Sequence, residues 1–260
     1  MEGFNNKVIP YEDVTPYVYL QDIIKGRKSN TGIRHIFIDE AQDYSPFQFA
    51  FIQRLFPYSK KTLLGDFNQA IFSGVTGSAT VLTDLNISSN DIERFVLTKT
   101  YRSTREIVEF TSGLIVCGEK IEPFNRTGNK PVVERVEQNK LNKAIIEKTN
   151  NGYQTIAVIG RNAEESKKVF DDSKNKVTLH LIEKGTISYE KGNLVIPSYL
   201  AKGIEFDAVI VYDCSQYKSE EERKLFYTVC TRAMHELYMF TTDGISPLMA
   251  NVPKATFQYL

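Results

Sequence analysis

Hydrophobic positions along the chain follow two alternating rhythms. Short solid runs of Val, Ile and Leu fall at residues 33–38, 61–64, 94–97, 132–136, 155–159, 178–182, 193–197, 208–212 and 237–241. Several read as strands covered on both faces. Between them the apolar spacing lengthens to three or four residues, at 46–55, 103–116, 139–149, 163–171 and 220–234, which predicts amphipathic helices. One more short helix fits 14–26. Strand and helix in alternation predict an α/β fold, a parallel sheet with helices on both faces. The polar stretch LTDLNISSN (82–90) divides the pattern into units at 1–90 and 91–260. The second has strands enough for a complete sheet. The first has only two, so it reads as the end of a domain that began upstream.

Composition narrows the function. The 260 residues are 42% hydrophobic and 25% charged, with 32 basic and 32 acidic side chains, a net charge of zero. A protein that only binds nucleic acid is usually basic. Cys117, Cys214 and Cys230 show no C-x-x-C spacing, and His35, His180 and His235 are equally scattered. A disulfide framework or a Cys/His metal site is therefore not expected. No apolar run approaches the roughly 18 residues that span a membrane. The first residues lack the basic-then-apolar order of a signal peptide, so a cytoplasmic location is expected.

Five stretches carry candidate chemistry. In HIFIDEAQD a buried strand runs into Asp39 and Glu40, where one carboxylate can hold Mg²⁺ on phosphate oxygens and its neighbour can orient a water. In LLGDFNQ, Gly65 reads as a tight turn that projects Asp66 and Gln69, and the glutamine can sense a γ-phosphate. In KTYRSTRE, Tyr101 can stack on a base, Arg102 can fork onto a phosphate, and Ser103 or Thr104 can cap a helix. In YLAKGIEFD, Gly203 permits close backbone approach and Glu205 can bind ribose hydroxyls. In TVCTRAM, Arg232 lies off an apolar stripe of Leu225, Val229 and Ala233. Each stretch alone also reads as an ordinary polar loop or surface arginine.

Together and in this order, DEAQD, GDxxQ, YRS, KGxEFD and TRA resemble the two-domain motor core of superfamily 1 helicases, the UvrD/Rep-like group. The resemblance spans roughly residues 33–241. It implies a RecA-like P-loop NTPase fold, one complete domain plus the end of another, with ATP and Mg²⁺ in the cleft between the two. Asp39 would hold the metal and Glu40 would activate water. Gln69 would link the γ-phosphate to the strand-binding surface. Tyr101 would stack on adenine and Arg102 would contact the γ-phosphate. Gly203 and Glu205 would lie at the ribose, and Arg232 would be the arginine finger. Phe72, Tyr199 and Lys202 would face single-stranded DNA.

The chain also departs from that pattern. No glycine is followed by lysine, so the phosphate loop G-x-x-x-x-G-K-[ST] is absent. The expectation is that this loop lies upstream in a longer protein and that the 260 residues alone hydrolyse little or no ATP. There is no tryptophan, and Gly74 stands where the second stacking aromatic of the group is usual. Tyr199 replaces a usual histidine. Roughly 35 residues separate Arg161 from Val195, too few for the large accessory domain of UvrD-like enzymes. IDEAQDYSPFQF, PFNRTG and VIPSYLAKGIEFDAVIVYD look like the HelD-type ATPases of Gram-positive bacteria, which bind RNA polymerase and recycle it. Three readings follow: a helicase or translocase on DNA, a polymerase-recycling ATPase, or a binding module with relic motifs.

Overall fold

In the computed structural model, which describes residues 9–26, 29–69, 91–116, 121–186 and 191–260, strand and helix alternate along the chain. Contacts divide it into two compact units, Met1–Phe95 and Val96–Leu260.

The first unit runs helix α1 (Tyr11–Lys25), strand β1 (His35–Ile38), a 3₁₀ turn (Ala41–Asp43), helix α2 (Pro46–Leu55) and strand β2 (Lys60–Leu63). β1 and β2 pair in parallel, with Ile38 opposite Leu63. Helix α2 starts at a capping box. The Ser45 hydroxyl accepts from the Gln48 amide at 3.2 Å, and the Gln48 side chain accepts from the Ser45 amide at 2.7 Å. Pro46 occupies the first turn, where its missing N–H costs nothing. The segment YSPFQ is thus a helix start. Helix α1 packs on α2 through the Tyr19 ring, 5.1 Å from Phe47 and 5.7 Å from Phe51. Ile38, Ala41 and Phe49 form a small core with Ile36 and Leu63 against it. Alternate strand residues point to opposite faces, and Phe37, between Ile36 and Ile38, is 70% exposed.

The second unit opens with strand β3 (Lys99–Thr100), helix α3 (Arg105–Ser112) and strand β4 (Glu122–Pro123). Next come β5 (Val132–Arg135), α4 (Gln138–Asn150), β6 (Thr155–Gly160), α5 (Ala163–Ser173), β7 (His180–Leu181) and β8 (Gly192–Pro197). The unit closes with β9 (Phe206–Val211), α6 (Arg223–Cys230), β10 (Ala233–Thr241) and β11 (Gln258–Tyr259). Seven strands form one parallel sheet in the order β11-β5-β10-β9-β6-β8-β7. β3 and β4 make a separate parallel pair.

The solid apolar runs follow from burial on both faces. Ala157, Ile159, Val209 and Val211 face a core closed by Ile107 and Phe110 of α3 and Phe226 and Val229 of α6. Ile156, Val158, Ala208 and Ile210 face the opposite core, closed by Leu141 and Ile145 of α4 and Val169 of α5. A charge intrudes among the buried positions. Lys148 of α4 is 1% exposed, pairs with Glu236 at 2.5 Å and lies 4.8 Å from the Tyr238 ring. Lys148→Ala strands that carboxylate and is expected to cost about 3 kcal/mol of stability, the lower end of the range for breaking a buried pair. Replacing both partners, as Lys148→Met with Glu236→Leu, is expected to restore most of it. Chemical denaturation of the four proteins checks both statements.

Two expected elements differ. Residues 94–97 form no strand, and Phe95 and Leu97 are 78% and 92% exposed. Pairing falls instead on Lys99–Thr100, where β4 supplies a partner. The helix expected over 220–234 ends at Cys230, and β10 begins at Ala233. The amide of Phe206 donates to the Arg232 carbonyl at 3.0 Å, so the neighbouring strand takes the group that a longer helix would have used. The spacing of Leu225, Val229 and Ala233 is helical by coincidence at its last member. Among the described residues no helix is long and apolar enough to cross a membrane.

Candidate functional site

In the first unit the candidate acids sit at the C-terminal end of β1. Asp39 is exposed and accepts from the Glu40 amide at 2.8 Å. Glu40 has φ +49, the one non-glycine residue with positive φ among those described. That conformation costs about 1–2 kcal/mol for an L-residue, and such strain gathers at functional sites. Gln42, fully buried, ties the acids to the second motif. Its amide nitrogen donates to Glu40, and its amide oxygen accepts from the Asp66 N–H at 3.1 Å. Asp66 in turn accepts from the Gln69 side chain at 2.8 Å. Glu40, Gln42, Asp66 and Gln69 are therefore one hydrogen-bonded chain across the ends of β1 and β2.

Gly65 has a role other than the expected turn. Its φ is not positive. A Cβ there would lie 2.3 Å from the Gln42 amide oxygen and 3.3 Å from the Ala41 nitrogen. Glycine is needed so that the buried glutamine fits. Gln42 itself was not among the expected site residues. Its signal was only its place between two acids.

In the second unit the candidates gather on the opposite kind of edge. Ser103 donates its hydroxyl to the Ala233 carbonyl at 2.6 Å, and the Thr104 amide donates to the Met234 carbonyl at 3.1 Å. This places the YRS segment at the N-terminal end of β10. Glu205 immediately precedes β9, whose first residue, Phe206, lies opposite Ala233. Arg102 and Glu205 meet in an ion pair at 2.5 Å. Tyr101 is 63% exposed, with its ring 4.5 Å from that of Phe124. Thr104 holds the N-cap position of α3, yet its hydroxyl does not cap and has no hydrogen-bond partner.

Arg232 lies in the turn between α6 and β10 and is 2% exposed, not on the surface. Its Nε donates to the Thr228 carbonyl at 3.1 Å, within the last turn of α6. Ligands of open α/β folds usually bind outside the C-terminal strand ends, where helix N-termini favour anions. At the N-terminal edge α6 presents its C-terminus, whose dipole disfavours them, while α3 begins beside the start of β10. Two side-chain cations, Arg102 and Arg232, are placed at this edge.

The KGxEFD segment links both edges. Tyr199, 39% exposed, sits in the turn Ser198–Leu200 just past the C-terminal end of β8. β9 starts at the other edge, so residues 201–205 cross the sheet with Ala201 fully buried on the way. Gly203 takes φ +79 with nothing within 4 Å of where its Cβ would be. Lys202 beside it is half-buried. Phe72 lies outside the described residues.

A seven-stranded parallel sheet flanked by helices, with arginines at its N-terminal edge, defines the class: a RecA-like helicase domain. Residues 20–87 match the UvrD/REP helicase N-terminal domain, and residues 194–240 match the UvrD-like helicase C-terminal domain. The crystal structure of the C-terminal domain of a possible DNA helicase from Lactobacillus plantarum WCFS1 is 34% identical with a TM-score of 0.53. That match covers 62% of this chain and 98% of that one. DNA helicase IV of Escherichia coli K12 is 27% identical over 243 residues, 83% of this chain and 35% of that protein. A probable DNA helicase of Mycoplasma pneumoniae is 26% identical, over 81% of this chain and 44% of that protein. The chain belongs to the UvrD-like superfamily 1 helicases, and it spans between about a third and under half of these curated relatives.

Proposed function

We propose that the chain is the C-terminal motor portion of a DNA helicase or translocase that hydrolyses ATP, with its phosphate-binding loop supplied upstream in a longer polypeptide. The observation that carries this reading is the chain Glu40–Gln42–Asp66–Gln69 at the strand ends of the first unit. The outward face of β1 supports the longer polypeptide. Phe37 is apolar where a one-sided sheet would carry a polar residue.

Asp39 suits Mg²⁺, because its carboxylate is exposed at a strand end and held by a backbone amide. Among the described residues no three His, Cys, Asp or Glu gather as ligands. Mg²⁺ needs only one or two carboxylates besides substrate phosphates, and it would supply charge neutralisation there. Glu40, oriented by Gln42, takes the proton of the attacking water. The water oxygen bonds to the γ-phosphorus, and the bond to the β-bridging oxygen breaks, leaving ADP and phosphate. Gln69 senses the γ-phosphate and passes that state on through Asp66. In the second unit Tyr101 stacks on adenine and Arg102 exchanges Glu205 for the γ-phosphate. Glu205, released, turns to the ribose beside Gly203. Arg232 stabilises the transferring phosphoryl group. Tyr199, Lys202 and Phe72 serve the single strand.

Gly65→Ala tests the hydrogen-bonded chain. Displacing the Gln42 amide is expected to lower kcat about 10²-fold with KM little changed, the scale of a small misplacement of a catalytic group. Single-strand-stimulated ATP turnover reads it. Strand displacement by the longer protein tests the function itself. The relatives named above carry DNA helicase names, one as possible and one as probable, which favours work on DNA over HelD-type recycling of RNA polymerase. ATP-dependent unwinding supports the helicase reading. Capture of RNA polymerase without unwinding or translocation would replace it.

A further inference from the structure

We propose that the segment 123–128, and Arg126 above all, is the positioning element for Tyr101 and Arg102. The inference rests on the reading of those two residues as nucleotide contacts.

Residues 101–104 belong to no helix or strand, so their backbone is fixed only by what touches it. Nearly every residue of FNRTG touches TYRSTRE. The Phe124 ring lies against Tyr101 at 4.5 Å, and the Phe124 amide donates to the Thr100 carbonyl at 3.0 Å. Asn125 accepts from the Arg105 guanidinium at 2.5 Å. The Arg126 carbonyl accepts from the Arg105 amide at 2.7 Å. The Gly128 amide donates to Glu106 at 2.7 Å. A Cβ on Gly128 would fall 2.6 Å from the Thr104 methyl, so only glycine lets the two backbones approach this closely.

Arg126 does more than hold the surface. Its Nη1 donates to the Arg102 carbonyl at 2.7 Å. Its Nη2 reaches the His235 ring, 2.5 Å from Nδ1 and 2.7 Å from Nε2. His235 lies on β10, three residues after Arg232. The guanidinium therefore joins the peptide that carries Arg102 to the strand that follows Arg232. Burial, and then the Arg126 charge, pushes the His235 pKa below its usual value against the pull of Asp207. A planar fork can serve both partners at once, which an ammonium on a single stem does poorly. Phe124 backs one face of Tyr101, leaving the rest of that exposed ring for a base.

A double-mutant cycle in the longer protein separates positioning from plain bracing. ATP turnover is measured for the parent, Arg102→Ala, Arg126→Ala and the double variant. If Arg126 acts through Arg102, Arg126→Ala lowers kcat/KM about tenfold, the weight of one charge-assisted hydrogen bond. The double variant is then no slower than Arg102→Ala alone, because coupled sites are not additive. The melting temperature of the second unit stays with the parent. If Arg126→Ala does not fold, Arg126→Met, which keeps the stem but has no donor for the Arg102 carbonyl, takes its place in the same cycle. Multiplying defects, or an unimpaired Arg126 variant beside an impaired Arg102→Ala, overturns the inference and leaves the function standing. Unimpaired turnover in Arg102→Ala overturns the functional reading itself.

Discussion

Arg232→Ala in the longer protein is expected to lower ATP turnover about 10³–10⁵-fold, the range for loss of an arginine finger. The residue is buried in the turn between α6 and β10. Beside it the end of α6 presents carbonyls, which do not favour phosphate, and the Arg232 Nε donates to one of them, that of Thr228. The substitution also removes that contact, at a cost of about 1 kcal/mol for a hydrogen bond. Arg232→Lys separates the two effects. It keeps the charge but cannot fork, so turnover should fall between the parent and the alanine protein. Binding of a fluorescent ATP analogue should change little in either, since the finger acts on the transition state. Steady-state turnover beside thermal melting makes the measurement. Turnover near the parent's in both folded variants would remove Arg232 from the mechanism.

Glu40→Gln is expected to slow single-turnover hydrolysis about 10²–10⁴-fold, the usual weight of a general base. The amide keeps the length of the side chain and its place beside Gln42, but it cannot take a proton. Nucleotide binding and melting should match the parent. Asp39 is untouched by this change, so a fall in Mg²⁺ dependence instead of rate would mean that Glu40 holds metal. Rapid quench measurement of product from bound ATP reads the rate directly. An unchanged rate would reassign the base.

Much of the fold was legible because burial on both faces writes itself as solid apolar runs. The strands at Thr155–Gly160, Gly192–Pro197 and Phe206–Val211 lie within two residues of the expected bounds. Helix α2 matches at both ends because its capping box and proline are local signals. Where tertiary pairing decides, sequence periodicity failed. Residues 94–97 carry a strand-like run but find no partner strand, whereas the two-residue strands β4 and β11 exist only through pairing. At Arg232 a helical spacing ran on into a strand. In the site, the charged residues stood out, but what holds them did not. Gln42, Phe124 and Arg126 are ordinary residue types whose role lies in contacts between positions far apart in the sequence. The N-terminal placement of the arginines also required the topology, because only the sheet tells which end of a strand a loop serves.

On the proposed function, these 260 residues hold the acids and arginines of an ATP site but not its phosphate cradle. The most direct test measures ATP turnover, with Mg²⁺ and single-stranded DNA, for the isolated chain and for the longer polypeptide side by side. Turnover is expected from the longer polypeptide, sensitive to Arg232→Ala, and only background from the isolated chain. Turnover by the isolated chain at a comparable rate, abolished by Arg232→Ala, would contradict it.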